Sequence, residues 1–213
     1  MICGVDEAGR GPVIGPMVVA GVLLESESQL VHLNVKDSKK VTPKRREALA
    51  QEISKIAQTQ VIIVPALDID AMRQSLTMNA MEVKLFASII EKLRPRLAYI
   101  DSADVNEERF GDKVKAELGF EVEIVSRHGA DETYPIVSAA SIIAKTARDA
   151  EVRKIREKIG EEIGSGYPSD KVTIRFLEEW VKRKGSLPPH TRHSWKTAQR
   201  ILDNAKTMKI DEF

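Results

Sequence analysis

The stretch Gly4-Val5-Asp6-Glu7-Ala8-Gly9-Arg10-Gly11-Pro12 decides how this chain is read. It sets two adjacent carboxylates on an apolar run and follows them at once with a glycine-flanked arginine. Consecutive residues of a regular strand point to opposite faces, so the pair shares one site only where the strand ends or bulges. A glycine turn beginning at residue 9 supplies such a place. Residues 2–6 read as the strand, and Met17–Leu24 (MVVAGVLL) as a second one beyond the turn. Gly9-x-Gly11 with Gly15 superficially resembles a dinucleotide-binding loop, but that loop must open a helix. Here Pro12 and Pro16 lead into another strand and the glycine spacing is one residue too long, so that reading fails.

Outward from this turn, strand and helix patterns alternate. Thr42-Pro43 reads as an N-cap with proline at the first helical position, and Leu49, Ile53 and Ile56 continue a helix over 43–57. Residues 61–64 are a β-branched run suited to a buried strand. One long helix is predicted over 68–93, with Leu85, Ile89 and Leu93 on a single stripe. Leu97–Asp101 reads as a strand ending at a carboxylate, 105–118 as a helix and 121–126 as a strand. A helix rich in small residues covers 135–159, then a loop carries GSGYPSD at 164–170. Helices over 171–184 and 194–206 flank the Pro188-Pro189 break. The alternation predicts an α/β sheet domain. That domain spans 1–165, and a helical C-terminal extension, 166–213, packs on it and assists substrate binding.

With 213 residues, 42% hydrophobic and 31% charged, the chain has a globular and not a disordered profile. The single cysteine excludes a disulfide framework and a cysteine-based zinc site, and indicates a reducing compartment. The longest uncharged stretch, 11–24, is broken by glycines and prolines and falls short of the ~20 apolar residues of a membrane span. Asp6 and Glu7 stand where a signal peptide needs a basic and then an apolar run, so a cytoplasmic protein with no membrane association is expected. The net charge of +1 hides asymmetry: six cations and one anion lie between residues 36 and 46, and six cations with no anion between 181 and 200. Such clusters suit a phosphate backbone, and a solvated face produces the same pattern.

Two more carboxylates join Asp6 and Glu7 as candidates. Asp101 ends a strand, where sites on α/β sheets commonly sit, and Asp131 lies in His128-Gly129-Ala130-Asp131 just before the 135–159 helix. Four such groups together repel one another unless cations neutralise them, and an all-oxygen cluster suits Mg²⁺ or Mn²⁺ and not zinc. No nucleophile competes. Cys3 reads as a small buried hydrophobe, the four histidines have no metal-binding spacing, and neither a Walker loop nor a G-x-S-x-G elbow is present.

Six ordered blocks carry a family resemblance: Asp6-Glu7-Ala8-Gly9-Arg10-Gly11 with Gly15-Pro16, Asp37-Ser38-Lys39-Lys40, Tyr99-Ile100-Asp101, His128-Gly129-Ala130-Asp131, residues 137–145 (VSAASIIAK) with Arg148-Asp149, and 164–170. Together they resemble type 2 ribonuclease H, ribonuclease HII, with Thr191–Thr197 (TRHSWKT) closer to the archaeal and eukaryotic branch than to the bacterial one. The resemblance implies an α/β ribonuclease H-like fold, with a mixed central β-sheet flanked by helices and a helical C-terminal extension. It implies cleavage of RNA in RNA–DNA hybrids and 5′ to single ribonucleotides in duplex DNA, by two Mg²⁺ or Mn²⁺ ions, leaving 3′-hydroxyl and 5′-phosphate ends. By the same carry-over, Asp6, Glu7, Asp101 and Asp131 are the catalytic, metal-binding carboxylates. Gly9, Arg10 and Gly11 sense the ribose 2′-hydroxyl, Tyr167 stacks at the RNA-to-DNA junction, and Ser38, Lys39, Ser141 and Lys145 lie near the nucleic-acid backbone.

The type 3 enzyme is disfavoured, since it carries an extra N-terminal domain and here the Asp-Glu pair falls at residue 6. Many members have lysine at the position of Gly129, and leucine at that of Val41. Residues 207–213 partly resemble a sliding-clamp-binding peptide: Ile210 and Phe213 keep its hydrophobic spacing, while the leading glutamine and second aromatic are absent. A monomer is expected. A non-catalytic nucleic-acid-binding module would need the basic clusters without the four carboxylates. A junction resolvase would need the carboxylates without Gly9-Arg10-Gly11 and Tyr167.

Overall fold

The computed structural model describes residues 1–35 and 41–210, with side chains to residue 207. Ser38 and Lys39 lie outside the described residues. Among the described residues five strands form one sheet in the order β3-β2-β1-β4-β5: β1 Ile2–Ala8, β2 Met17–Leu24, β3 Gln58–Val64, β4 Leu97–Asp101 and β5 Glu123–Arg127. β1 pairs antiparallel with β2 and parallel with β4, and β4 pairs parallel with β5, so the sheet is mixed. Among the described residues eight α-helices accompany it: α1 Pro43–Ile56, α2 Ala66–Met72, α3 Met78–Leu93, α4 Glu107–Ala116, α5 Ala130–Thr133, α6 Pro135–Ile159, α7 Lys171–Lys184 and α8 Lys196–Ile210. None among the described residues is long and apolar enough to cross a membrane.

The chain divides into two compact units. The first comprises Met1–Ala8, Val18–Ile63 and Leu76–Arg148. In it, β2 is buried along its whole length because helices cover both faces of the sheet. Val18, Ala20, Val22 and Leu24 share a core cluster with Leu49 and Ile53 of α1 and with Ile136, Ala139, Ala140 and Ala144 of α6. Gly21 faces the other way, where a methyl group would meet Ile89 Cγ2 of α3 at 2.3 Å. This alternation at period two gives three layers, helix on sheet on helix.

Gly4 governs the approach of α6 to β1. A Cβ at that position would lie 2.3 Å from the Ile136 carbonyl oxygen and 2.7 Å from the Val137 nitrogen, so only glycine admits the first turn of α6. The small residues Ala139, Ala140 and Ala144, all fully buried, continue that close contact down the helix. The N–H of Ile136 donates to Glu27 Oε1 at 3.1 Å, which satisfies one of the end groups a helix leaves open.

The second unit comprises Gly9–Met17, Val64–Ser75 and Asp149–Phe213. Its core joins Val13 and Ile14 of the turn to Ile155, Ile163, Phe176, Leu177, Val181, Ala198 and Ile201. The extension over 166–213 therefore lies within a unit that also includes three stretches from earlier in the chain: the 9–17 turn, 64–75 and 149–165.

Four sequence expectations are corrected. The helix predicted over 68–93 is two helices, α2 and α3, because the Thr77 hydroxyl accepts the Ala80 N–H and caps a new start that the apolar stripe concealed. β3 is not buried: it lies at the edge of the sheet and Ile63 is 43% exposed, for a β-branched run suits a strand without specifying its place. β1 does not end at residue 6 but stays paired with β2 through Ala8; its pairing with β4 does end, at Val5, so Asp6 and Glu7 lie just past the end of that parallel ladder. Neither α5 nor the 3₁₀ helix Glu27–Leu33 was expected, both being too short to show a period. Replacing Gly4 by Ala is expected to lower stability by about 1–3 kcal/mol or more, because the clash is with backbone that cannot rotate away. Urea unfolding of the variant against the native chain measures it.

Candidate active site

Strand register brings the first two acidic residues together. β1 and β4 run parallel, with Val5 opposite Ile100 as their last pair, so the next residue on each strand is an aspartate, Asp6 and Asp101. The Asp101 carboxylate accepts the Ala130 N–H at 2.7 Å, which ties the end of β4 to the first residue of α5. Asp131 follows directly, only 6% exposed. The chain enters α5 through Gly129 at φ 60, a left-handed conformation that glycine adopts without a Cβ penalty.

Asp6 shares its face of β1 with Gly4, two residues back, and so faces α6. It is 5% exposed. Burial pushes its carboxyl up to about 7; the charge of Asp101 adds to this and that of Asp131 adds less. The Ser141 hydroxyl and the Glu7 N–H pull the other way. The Glu7 N–H donates to Asp6 Oδ1 at 2.7 Å, whereas Ser141 lies beside Asp6 without a hydrogen bond of regular geometry. Ser141 is fully buried, so it is no surface group. Lys145, one turn further along α6, places Nζ 4.0 Å from Asp131 Oδ2.

Asp101 and Asp131 thus act electrostatically on Asp6, and half-buried Glu7 adjoins Asp6 along the strand. Among the described residues no three histidine, cysteine or acidic side chains form a finished cation cage. The donor chemistry nevertheless fits a hard divalent ion. Carboxylates whose charges raise the proton affinity of buried Asp6 are stabilised by positive charge and offer only oxygen ligands.

The second unit holds the glycine–arginine turn. A methyl group on Gly11 would meet the Tyr167 ring at 3.6 Å, so the exposed tyrosine lies alongside Gly11, and Gly166 accepts the Val13 N–H at 2.7 Å. The loop carrying Tyr167 is fixed by Asp170, which caps α7 through the Val172 N–H and accepts the Ser165 N–H and hydroxyl at 2.7 and 2.8 Å. These bonds, those from Ser165 foremost, hold the Asp170 carboxyl down at about 2.

Sequence reasoning placed Arg192 among surface cations, yet it is fully buried. Its guanidinium donates to the carbonyls of Gly9, Arg10 and Gly15 at 2.6, 2.9 and 3.0 Å. Trp195 donates its indole N–H to the Gly11 carbonyl at 3.1 Å. Asp70, which no sequence signal marked, accepts the backbone N–H groups of His193 and Ser194. The remaining cations of that cluster, including Lys182, Arg183 and Lys184, are exposed.

Comparison with known proteins agrees with this architecture. The family model described as Ribonuclease HII matches residues 3–198. A ribonuclease HII from Methanocella arvoryzae is 46% identical over 215 residues, covering 100% of this chain and 96% of the relative. The crystal structure of ribonuclease H2 from Pyrococcus horikoshii superposes with a TM-score of 0.91 at 43% identity, covering 96% of this chain and 98% of that one. A ribonuclease HII from Archaeoglobus fulgidus, solved in complex with PCNA, superposes with a TM-score of 0.88 at 45% identity, covering 94% and 96%.

The Asp170 network has a pH signature. Its folded value of about 2 lies below the ~3.9 of an unfolded aspartate, so its contribution to stability is full above about pH 4 and is lost as pH falls through about 2. Denaturant unfolding of Asp170→Asn is expected to show a deficit against the native chain at neutral pH that closes toward about pH 2.

Proposed function

The chain belongs to the ribonuclease HII family and is a nuclease of the ribonuclease H type, and on that premise we propose that it hydrolyses the RNA strand of RNA–DNA hybrids and cuts 5′ to single ribonucleotides embedded in duplex DNA. The observation that carries this reading is the gathering of Asp6, Asp101 and Asp131, on two parallel strand ends and the helix turn tied to one of them, where the other two charges raise the cost of ionising Asp6. Two Mg²⁺ or Mn²⁺ ions held by Asp6, Glu7, Asp101 and Asp131 would supply an activated water and neutralise charge on the scissile phosphate. Cleavage then leaves a 3′-hydroxyl and a 5′-phosphate.

The chain's own residues bind and orient. The Ala130 N–H fixes one oxygen of Asp101, and the buried Ser141 hydroxyl lies beside Asp6. Gly9, Arg10 and Gly11 bring bare backbone to the ribose and read its 2′-hydroxyl, the group that separates RNA from DNA. Tyr167 offers a flat exposed face to a sugar or base at the junction, worth about 1–3 kcal/mol where it stacks on a base. Lys145 and Lys39 neutralise backbone phosphate, the Ser38 hydroxyl donates to it, and the helical extension over 166–213 adds the exposed cations of α7. The tail, whose last residues, 211–213, lie outside the described ones, docks on a sliding clamp. The support is the PCNA complex of the Archaeoglobus relative together with the spacing of Ile210 and Phe213.

The test is a duplex DNA carrying one ribonucleotide, incubated with Mg²⁺, Mn²⁺ or EDTA beside an all-DNA control. Cleavage 5′ to the ribonucleotide is expected with metal alone, and none on the control. Asp101→Asn is expected to lose at least about a hundredfold in rate while keeping duplex affinity, since it removes charge on the metal side and leaves the basic clusters intact. Near-normal turnover of that variant would sink the carboxylate assignment. Binding without cleavage in either metal would favour a non-catalytic module.

A further inference from the structure

A buried guanidinium is costly unless its donors are satisfied, and Arg192 meets this requirement at the glycine–arginine turn. Besides the carbonyls of Gly9, Arg10 and Gly15, it packs its guanidinium 4.7 Å from the centre of the Trp195 ring, and Trp195 takes the Gly11 carbonyl. Its backbone joins in: the Arg192 N–H donates to the Val13 carbonyl at 2.8 Å, and the Gly15 N–H donates to the His190 carbonyl at 2.9 Å. Ile14 and Thr191 form an isolated antiparallel bridge between these bonds.

The peptide plane turns this anchoring into a statement about donors. In a trans peptide the carbonyl of one residue and the N–H of the next point in opposite directions. With the carbonyls of Gly9, Arg10 and Gly11 held by Arg192 and Trp195, the N–H groups of Arg10 and Gly11 face away from both, and Pro12 has none to offer. Gly11 is exposed, so this face is reachable.

We propose that Arg192 is a positioning residue for ribose recognition, which with Trp195 fixes the peptide planes of residues 9–11 so that their N–H face is preset for the sugar. This rests on the reading of Gly9-Arg10-Gly11 as the ribose-sensing segment. A lysine at 192 keeps the charge, but its single ammonium does not match the planar fork that spans three carbonyls. Phenylalanine at 195 keeps the ring and removes the one donor to Gly11.

The experiment measures the affinity of the full chain, in EDTA so that no cleavage intervenes, for a duplex DNA with one ribonucleotide and for the same duplex in all-DNA form. The readout is the ratio of the two. Arg192→Lys is expected to lower that ratio about tenfold, the scale of one lost hydrogen bond to a charged group, with all-DNA affinity little changed. Trp195→Phe, which leaves the buried arginine in place and serves if the lysine variant fails to fold, is expected to lower it severalfold. Gly11→Ala separates the two layers of the argument, since its methyl group fits at ordinary contact distance from Tyr167 and leaves the anchors untouched. If Gly11→Ala leaves the ratio unchanged, the turn does not read the ribose, and both the reading and the proposal fall. If Gly11→Ala lowers it while Trp195→Phe and a folded Arg192→Lys do not, Arg192 is only a structural staple and the proposal alone is overturned.

Discussion

The constraint on which the first unit turns is the repulsion among Asp6, Asp101 and Asp131 in a place with little water. A carboxylate 5% exposed, beside two others, is held there only because the surrounding structure leaves it nowhere else to go. Parallel pairing of β1 with β4 fixes two of the three positions to the backbone. The bond from Ala130 to Asp101 fixes the third, and the tight contact of α6 at Gly4 closes the face that Asp6 occupies. Each device is ordinary, but together they hold acidic groups where an isolated chain would separate them. A site of this kind costs stability and is relieved by positive charge, which ties the fold to divalent-ion chemistry more directly than any single residue does.

The second unit solves the opposite problem, how to hold bare backbone still. A glycine-rich turn has the most conformational freedom to lose, so its geometry must be imposed from outside. Arg192, Trp195 and Gly166 supply bonds to its carbonyls and amides. Asp170 does the same for the loop that presents Tyr167. In both places an ionised side chain is satisfied by backbone groups, which explains why so few side chains are needed to order two loops.

How much of this was legible in the sequence depended on whether the determinant was local. Thr42-Pro43 set the start of α1, and α6 and α7 matched their predicted spans because caps and small-residue patterns sit within the element itself. Asp101 was readable as a strand end, and the adjacency of Asp6 then follows from register. Arg192 was hidden, since a buried arginine and a solvated one read alike and its partners lie about 180 residues away at Gly9 and Arg10. Asp70 was hidden for the same reason, with partners at His193 and Ser194. The edge position of β3 was not readable either, because strand order is a property of the whole sheet.

The most direct test of the central claim is thermal unfolding of the full chain in EDTA and in saturating Mn²⁺, beside Asp6→Asn, whose amide oxygen still accepts the Glu7 N–H. If buried mutual repulsion defines the site, Mn²⁺ raises the midpoint of the native chain by binding the folded state, and Asp6→Asn is at least as stable in EDTA but loses most of the Mn²⁺ response. An Asp6→Asn variant that gains as much from Mn²⁺ as the native chain would contradict the account, because the ion would then be bound somewhere that does not need this charge.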